Sequence, residues 1–453
     1  MYVEIAAREL DSKLLLATLA AAKGHQVVVS DLSGIMKGIQ KGALAPGIFH
    51  DKSLTPNANK IATHQFVIDN GFVVTSIDEE NNLINYGYDK FAQDRYSEQT
   101  IGYSSAIFGW GPEDVETLKE VYLNHSSSIH MTGSPRIDLL QPLFSDYWGI
   151  PQVPSERPYL LVASNCQANN IKSFHETLRL MKGAGYFKRD PQLFKKKFGE
   201  MAESYHRIIA FIEAIKHLAD NNNGYDIVLR PHPAENIEAW KIFLEGIPNV
   251  HVIQEGSIIP WINNSFALMH SGCTTAIEAS VLGKPVVTYI PFELEHYTCE
   301  VPNSLGFRVE SLKELSNKVN AIYDTRQSNT KKNKNPLLPE PIIKKIYIDN
   351  DELAAEKIVK IWERITNKDL SKPSNWTKFQ WLLRVMKFRK TTGKILKKLF
   401  QVRFGSVKEN YKFPPLDEQN ICARVKRLQD ILEIDKNLEC KLLSERTILI
   451  KRL

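Results

Sequence analysis

The sequence predicts an α/β protein: two Rossmann-like domains facing a cleft, with a basic α-helical C-terminal extension. Three observations predict it. Short apolar runs alternate with helix-spaced segments from the first residues to about residue 310. A Pro-rich stretch at 151–158 divides that alternation in two. Residues 370–408 hold 11 Lys/Arg and no Asp or Glu. Strands of this length between helices predict parallel, doubly wound sheets, which bind ligands at the C-terminal ends of their strands.

In the first domain, 1–150, the spacing predicts strands at Tyr2–Ala6, His25–Ser30, Gly47–His50, Phe72–Ile77, Ala106–Trp110 and Ser128–Thr132. A helix is expected over Asp11–Lys23, where Leu14, Leu15, Thr18, Leu19 and Ala22 share a face and Gly24 stops it. The second domain, 158–325, opens with the strand Tyr159–Ala163. A long helix near 195–220 follows, then the strand Ile227–Leu229 before the Arg230–Pro233 turn and strands ending at Ile253, His270 and Tyr289, with a helix over Thr274–Leu282. Residues 326–342 are expected to form a surface loop. A crossover helix is expected within 343–370, and a basic helical tail over 371–453.

Composition narrows the class. A chain of 453 residues calls for two or three domains. Hydrophobic and charged contents of 43% and 24% are those of an ordinary globular protein. Five scattered cysteines without CxxC or Cys/His spacing argue for reduced thiols, and against a disulfide scaffold or a zinc site. No signal peptide or membrane span is expected, so the expected location is cytoplasmic. The net charge of +6 comes from the basic segment; the remainder is −5. A body of that sign, without a nucleic-acid-binding motif, argues against DNA or RNA as partner.

Six clusters carry the candidate chemistry. Arg230 and His232-Pro233 follow a buried strand, where a guanidinium and an imidazole suit the charge on a leaving phosphate. Ser271, Gly272, Thr274 and Thr275 lie between a strand and a helix, offering hydroxyls and backbone N–H groups to phosphate, with Glu278 one turn on in reach of a ribose. Asn165, after the first strand of the second domain, joins this nucleotide group. Asp78, Glu79 and Glu80 follow a strand of the first domain. Crowded carboxylates raise one pKa, as a general base requires. Asp138 is a further catalytic candidate, with Arg136 beside it near the domain junction. Arg8 and Glu9, at the first strand-to-helix turn, complete the acceptor side. No GxGxxG stands there, so the dinucleotide fingerprint is absent. Each cluster alone is commonly a solvated loop or a helix cap; their order along two sheet edges favours a site.

That order resembles a known family. Arg230–Pro233 followed by 270–287 is similar to nucleotide-sugar enzymes of the GT-B superfamily, including UDP-GlcNAc 2-epimerases and bacterial surface-polysaccharide transferases. Asp78-Glu79-Glu80, His232-Pro233 and Ser271 with Thr274-Thr275 resemble, in order, the acidic, HP and Ser/Thr motifs of bacterial transferases using CMP-activated acidic sugars. Asn81 stands where that pattern prefers Gly. Residues 9–17, 77–80 and 133–138 resemble surface carbohydrate biosynthesis proteins related to Kdo transferases of capsule and O-antigen (lipopolysaccharide) assembly. The resemblance implies that an acidic residue deprotonates the acceptor while the HP and Ser/Thr motifs bind the CMP moiety.

The expected function is therefore transfer of an acidic sugar such as Kdo from a CMP-sugar to a glycan or lipid-linked acceptor. Neither cofactor nor metal is expected. Two other readings stay open: an enzyme like a UDP-GlcNAc 2-epimerase or a CDP-glycerol glycerophosphotransferase, and a non-catalytic subunit of polysaccharide assembly. In 375–404, Phe379, Leu382, Leu383 and Met386 share a helical face that Ile395, Leu396, Leu399 and Phe400 repeat, with Lys and Arg elsewhere. That pattern is expected to bind a membrane surface, placing the protein peripherally on the inner membrane.

Overall fold

The computed structural model describes residues 1–183, 185–297, 299–326, 338–366, 374–399 and 412–453. Most of the expected 326–342 loop, the junction at 367–373, and the basic residues 400–408 lie outside the described residues. So do the side chains of 389–399, and with them the second apolar repeat of the tail.

The second half is built on six parallel strands: β6 (Tyr159–Ala163), β7 (Asp226–Arg230), β8 (Val250–Val252), β9 (Ala267–His270), β10 (Val286–Tyr289) and β11 (Phe307–Val309). Their spatial order is β11-β10-β9-β6-β7-β8, so the first strand lies between the second and the fourth. This is the Rossmann order, and its switch point lies between β6 and β9. β6, β7, β9 and β10 are buried along their whole length. That explains their unbroken apolar runs: a parallel sheet covered on both faces leaves no polar side.

In the first half, β1 (Val27–Ser30) precedes β2 (Ile48–Asp51), β3 (Val73–Ile77), β4 (Ser104–Gly109) and β5 (Ile129–Met131). β2 to β5 form a parallel sheet. The strand expected over Tyr2–Ala6 is reduced to one bridge. Tyr2 pairs parallel with Ser30 and donates its N–H to His50 O at 3.2 Å, linking β1 to β2. The helix expected over Asp11–Lys23 starts earlier, at Ala6, and runs to Ala22, because Leu10, Leu14 and Ala17 supply a face that the core buries. Gly24, at φ +95°, ends it.

The C-terminal part does not stand apart. The helix Ala354–Thr366 buries Ile358 and Trp362 against the first half, with Trp362 Nε1–H donating to Thr75 Oγ1 at 3.2 Å. The helix Trp376–Leu399 buries Phe379, Leu382 and Leu383 against Ala43, Leu443 and Leu449. The expected membrane-facing stripe is thus, where its side chains are described, an internal packing face. An amphipathic helix buries its apolar side on whichever apolar surface is at hand. After the helix Glu418–Ile431 the tail is not helical: β12 (Leu438–Ser444) and β13 (Thr447–Arg452) form a hairpin, and β13 pairs antiparallel with β1. Thr447, Ile448, Leu449 and Ile450 are all buried, so β13 is covered on both faces, as a short unbroken apolar run allows. Among the described residues no helix is long and apolar enough to cross a membrane.

Candidate active site

A cleft runs between the two halves at the C-terminal ends of β6, β7 and β9. Its wall includes Arg8, Asp11 and Arg136 from the first half, and Ser164, Arg230, His232, Cys273, Thr274, Thr275 and Glu278 from the second. Lys412, from the C-terminal part, closes one side.

The turn after β7 is held by Glu235. This buried carboxylate accepts hydrogen bonds from Ser164 Oγ, the N–H of Cys166 and of His232, and Trp240 Nε1–H, at 2.7–3.2 Å. Burial raises its pKa against the pull of those donors. Glu235 therefore ties the loop after β6 to the turn after β7 and fixes His232 between two prolines. His232 Nδ1 accepts from the N–H of Ala234 at 3.2 Å, so the neutral ring carries its proton on Nε2. Enclosure by the cleft walls, and then the Arg8 charge, bring the His232 pKa down to about 4, although the residue is itself exposed. At neutral pH His232 is thus an uncharged N–H donor.

Arg230 departs from the expected role. Its Nη1–H and Nη2–H groups donate to the carbonyls of Glu255 and Gly256 at 2.6 and 2.9 Å, and its guanidinium lies 5.0 Å from the Trp261 ring centre. Burial lowers its pKa to about 10, which still leaves it charged. It braces the loop after β8 while lining the cleft.

The turn after β9 starts from a buried His270, held neutral by burial with its pKa near 3; its Nδ1 accepts from the N–H of Cys273 at 3.4 Å. Gly272 adopts φ +67°, a conformation only glycine reaches without strain. Its N–H donates to Asn303 Oδ1 and its carbonyl accepts from Asn165 Nδ2 at 3.1 Å. Ser271, Gly272 and Asn165 thus form the back of the turn, whereas Thr274 is exposed to the cleft. Pro233 lines it beside His232.

The carboxylates expected to act as base are mostly committed elsewhere. Glu79 is buried, with Oε1 2.6 Å from Lys13 Nζ; the Lys13 and Arg136 charges overcome burial and hold its pKa below the ordinary value. Asp78 is gripped by Arg95 at 2.8 and 3.0 Å and accepts from the N–H of Glu80 and of Asn81. Asn81, at φ 30°, sits in the tight turn where the resembled motif has Gly. Asp138 caps the helix Ala354–Thr366, accepting from the N–H of Ala354 and Ala355 at 3.0 and 2.8 Å. Glu9 folds back to accept from the N–H of Glu4 at 2.8 Å and from Arg8 at 3.0 Å. Of the acidic triplet Glu80 is the most exposed, at 44% of its side chain, but it too is paired, accepting from Arg95 Nη1–H at 3.1 Å and lying 3.6 Å from Arg8.

Across the cleft floor, Arg136 joins the halves. It donates to the Glu79 carbonyl and to Glu278 Oε1, both at 3.0 Å, with its guanidinium 5.3 Å from the Trp110 ring centre. Burial raises the Glu278 pKa, opposed by Arg136 and then Arg8. Glu235 and Lys412 were not singled out as site residues from the sequence, and Ser164 only as part of the stretch 164–170. Glu235 had a local sign, a carboxylate two residues past Pro233; Lys412 had none, since it arrives from across the chain.

No protein-family model matches this chain, and no curated protein matches it. Among solved structures it is similar to S. aureus MnaA in its co-structure with UDP, at 15% identity over 76% of this chain and 80% of that one, with a TM-score of 0.43. It is similar to the wall teichoic acid polymerase TagF at 12% identity, over 67% and 69% of the two chains, with a TM-score of 0.42. It is similar to UDP-GlcNAc 2-epimerase from Neisseria meningitidis bound to UDP-GlcNAc at 13% identity, over 80% and 84%, with a TM-score of 0.38.

Proposed function

We propose that the chain is a glycosyltransferase of surface-polysaccharide assembly, taking an acidic sugar such as Kdo from a CMP-sugar and joining it to a glycan or lipid-linked acceptor at the inner membrane. The observation that carries this reading is the cleft edge at the β6/β9 switch point. A neutral Nε2–H donor on His232, the exposed hydroxyl of Thr274 and the Arg8 guanidinium converge there. Such a set suits a nucleoside phosphate that gains negative charge as its bond to the sugar breaks. Glu278 acts as general base: it lines the cleft, and burial raises its pKa toward the working range. It takes the acceptor O–H proton while the acceptor oxygen bonds to the sugar and CMP departs with the former glycosidic oxygen. The preference for CMP draws on the motif order in the sequence.

Calorimetric titration with CMP, CDP and UDP tests the reading. CMP is expected to bind most tightly, and His232→Ala to weaken it by roughly 10- to 100-fold, the loss of one hydrogen bond to a charged group. Glu278→Gln should keep CMP affinity and lower kcat by about 100-fold or more. Unchanged CMP binding by His232→Ala removes the donor site from this edge. Tighter binding of UDP or CDP moves the chain to epimerase or glycerophosphate chemistry.

A further inference from the structure

The long helix Leu193–Asp220 carries a cation to the back of the turn after β9. Arg207 is 1% exposed, yet no described residue accepts a hydrogen bond from its Nε, Nη1 or Nη2. A buried guanidinium with every donor idle destabilises a fold, so its place needs a cause. The carboxylates nearby are committed to other donors. Glu203, one turn back on the same helix, accepts from the N–H groups of Glu295, His296 and Tyr297 at 2.7–2.9 Å. Glu200 pairs with Lys197 at 2.6 Å. Glu235 is occupied by Ser164, Cys166, His232 and Trp240.

What holds Arg207 is the turn itself. Its guanidinium lies 4.2 Å from the Tyr297 ring centre. The Tyr297 hydroxyl accepts from Asn165 Nδ2 at 2.7 Å and donates to the Gly272 carbonyl at 3.4 Å. An added Cβ on Gly272 would stand 3.0 Å from Tyr297 Cε1 and 3.5 Å from Arg207 Nη1, so ring and cation are seated against the bare backbone there. Ser204 Oγ, accepting from the N–H of Ala168 at 2.9 Å, docks the same helix on the loop after β6. Arg207 is thus fixed behind a turn whose front, Cys273 to Thr275, lines the cleft.

We propose that Arg207 is the buried charge that draws the nucleotide's phosphoryl group to this turn, acting through Gly272 from behind it. This rests on the reading of the turn as the phosphate side of a nucleotide site. A cation without a salt-bridge partner, in low-dielectric surroundings, favours an anion nearby and is little screened by salt.

Calorimetry on the full chain and on Arg207→Met tests it. Methionine is unbranched and still packs on the Tyr297 ring. CMP affinity should fall by roughly tenfold or more, and by a similar factor at low and high salt. Affinity for cytidine, which lacks the phosphoryl group, should not change. The ligand-free variant should melt with the wild type or above it, because an uncompensated buried charge has been removed. Equal CMP binding by the two proteins overturns the proposal, as does an equal loss for cytidine. A variant that melts well below the wild type, or does not fold, overturns it too, since the guanidinium would then serve the fold. Tighter binding of UDP or CDP by the wild type ends the CMP reading alone, and the same comparison with that nucleotide and its nucleoside then decides Arg207. A wild type that binds none of the three overturns both.

Discussion

Asp138 shows how a residue with the right chemistry ends in structural work. Its carboxyl is 3% exposed and receives two backbone N–H groups from the start of the helix Ala354–Thr366. Burial pushes its pKa up to about 7, from about 3.9 in an unfolded chain. The folded state therefore holds this proton more tightly than the unfolded state. Between about pH 4 and pH 7 stability should fall as pH rises, because the folded chain binds more protons there. Asp114, raised to about 6 by burial, adds a contribution of the same sign, so the readout is a difference between variants. The urea midpoint of the wild type should decline from pH 5 to pH 8 more steeply than that of Asp138→Asn, which keeps an oxygen acceptor and has no proton to lose. Parallel slopes would refute the assignment. The acidic triplet carries the same lesson. Three adjacent carboxylates are plain in the sequence, but that Lys13 lies 2.6 Å from Glu79 is fixed only by the packing of the first helix on the end of β3.

At the scale of elements, the hairpin β12–β13 completes the first half. β13 gives β1 its antiparallel partner from Val27↔Ile450 to Ser30↔Thr447, and Ile448 and Ile450 are fully buried. A chain ending at Glu433 should leave β1 as an exposed, apolar edge strand, the kind that pairs between molecules. Size-exclusion chromatography should show the shortened chain in higher oligomers with strong binding of a hydrophobic dye. A monomer melting with the wild type would show that the hairpin is dispensable. The strands β6, β7, β9 and β10 were legible because unbroken apolar runs between turn residues have one common solution, a buried parallel strand. The pairing of β1 with β13 was not, because more than 400 residues separate them and no local pattern records a partner. The helix Trp376–Leu399 was legible as amphipathic, but its apolar face does not say what covers it. Close approach at Gly38, where an added Cβ would lie 2.6 Å from Phe379, shows how closely that face is fitted to the body.

At the scale of the whole molecule, one apolar cluster crosses between the two halves. Leu14 and Ile77 belong to the same buried cluster as Leu161 and Val228. Across the cleft floor the Arg136–Glu278 pair adds a directed link, with side chains 17% and 18% exposed. A mostly buried cation and carboxylate are coupled more strongly than a surface pair, and removing one partner strands the other. Arg136→Ala should therefore destabilise the chain by about 1–3 kcal/mol, after discounting for the residual exposure. Glu278→Gln alone should cost less, because a neutral amide still accepts from Arg136. The double variant should cost less than the sum of the two, with an interaction energy of about 0.5–3 kcal/mol in urea denaturation. Additive losses would mean that the halves are joined by the apolar core alone, and that Glu278 is held in the cleft by its own helix without the arginine opposite.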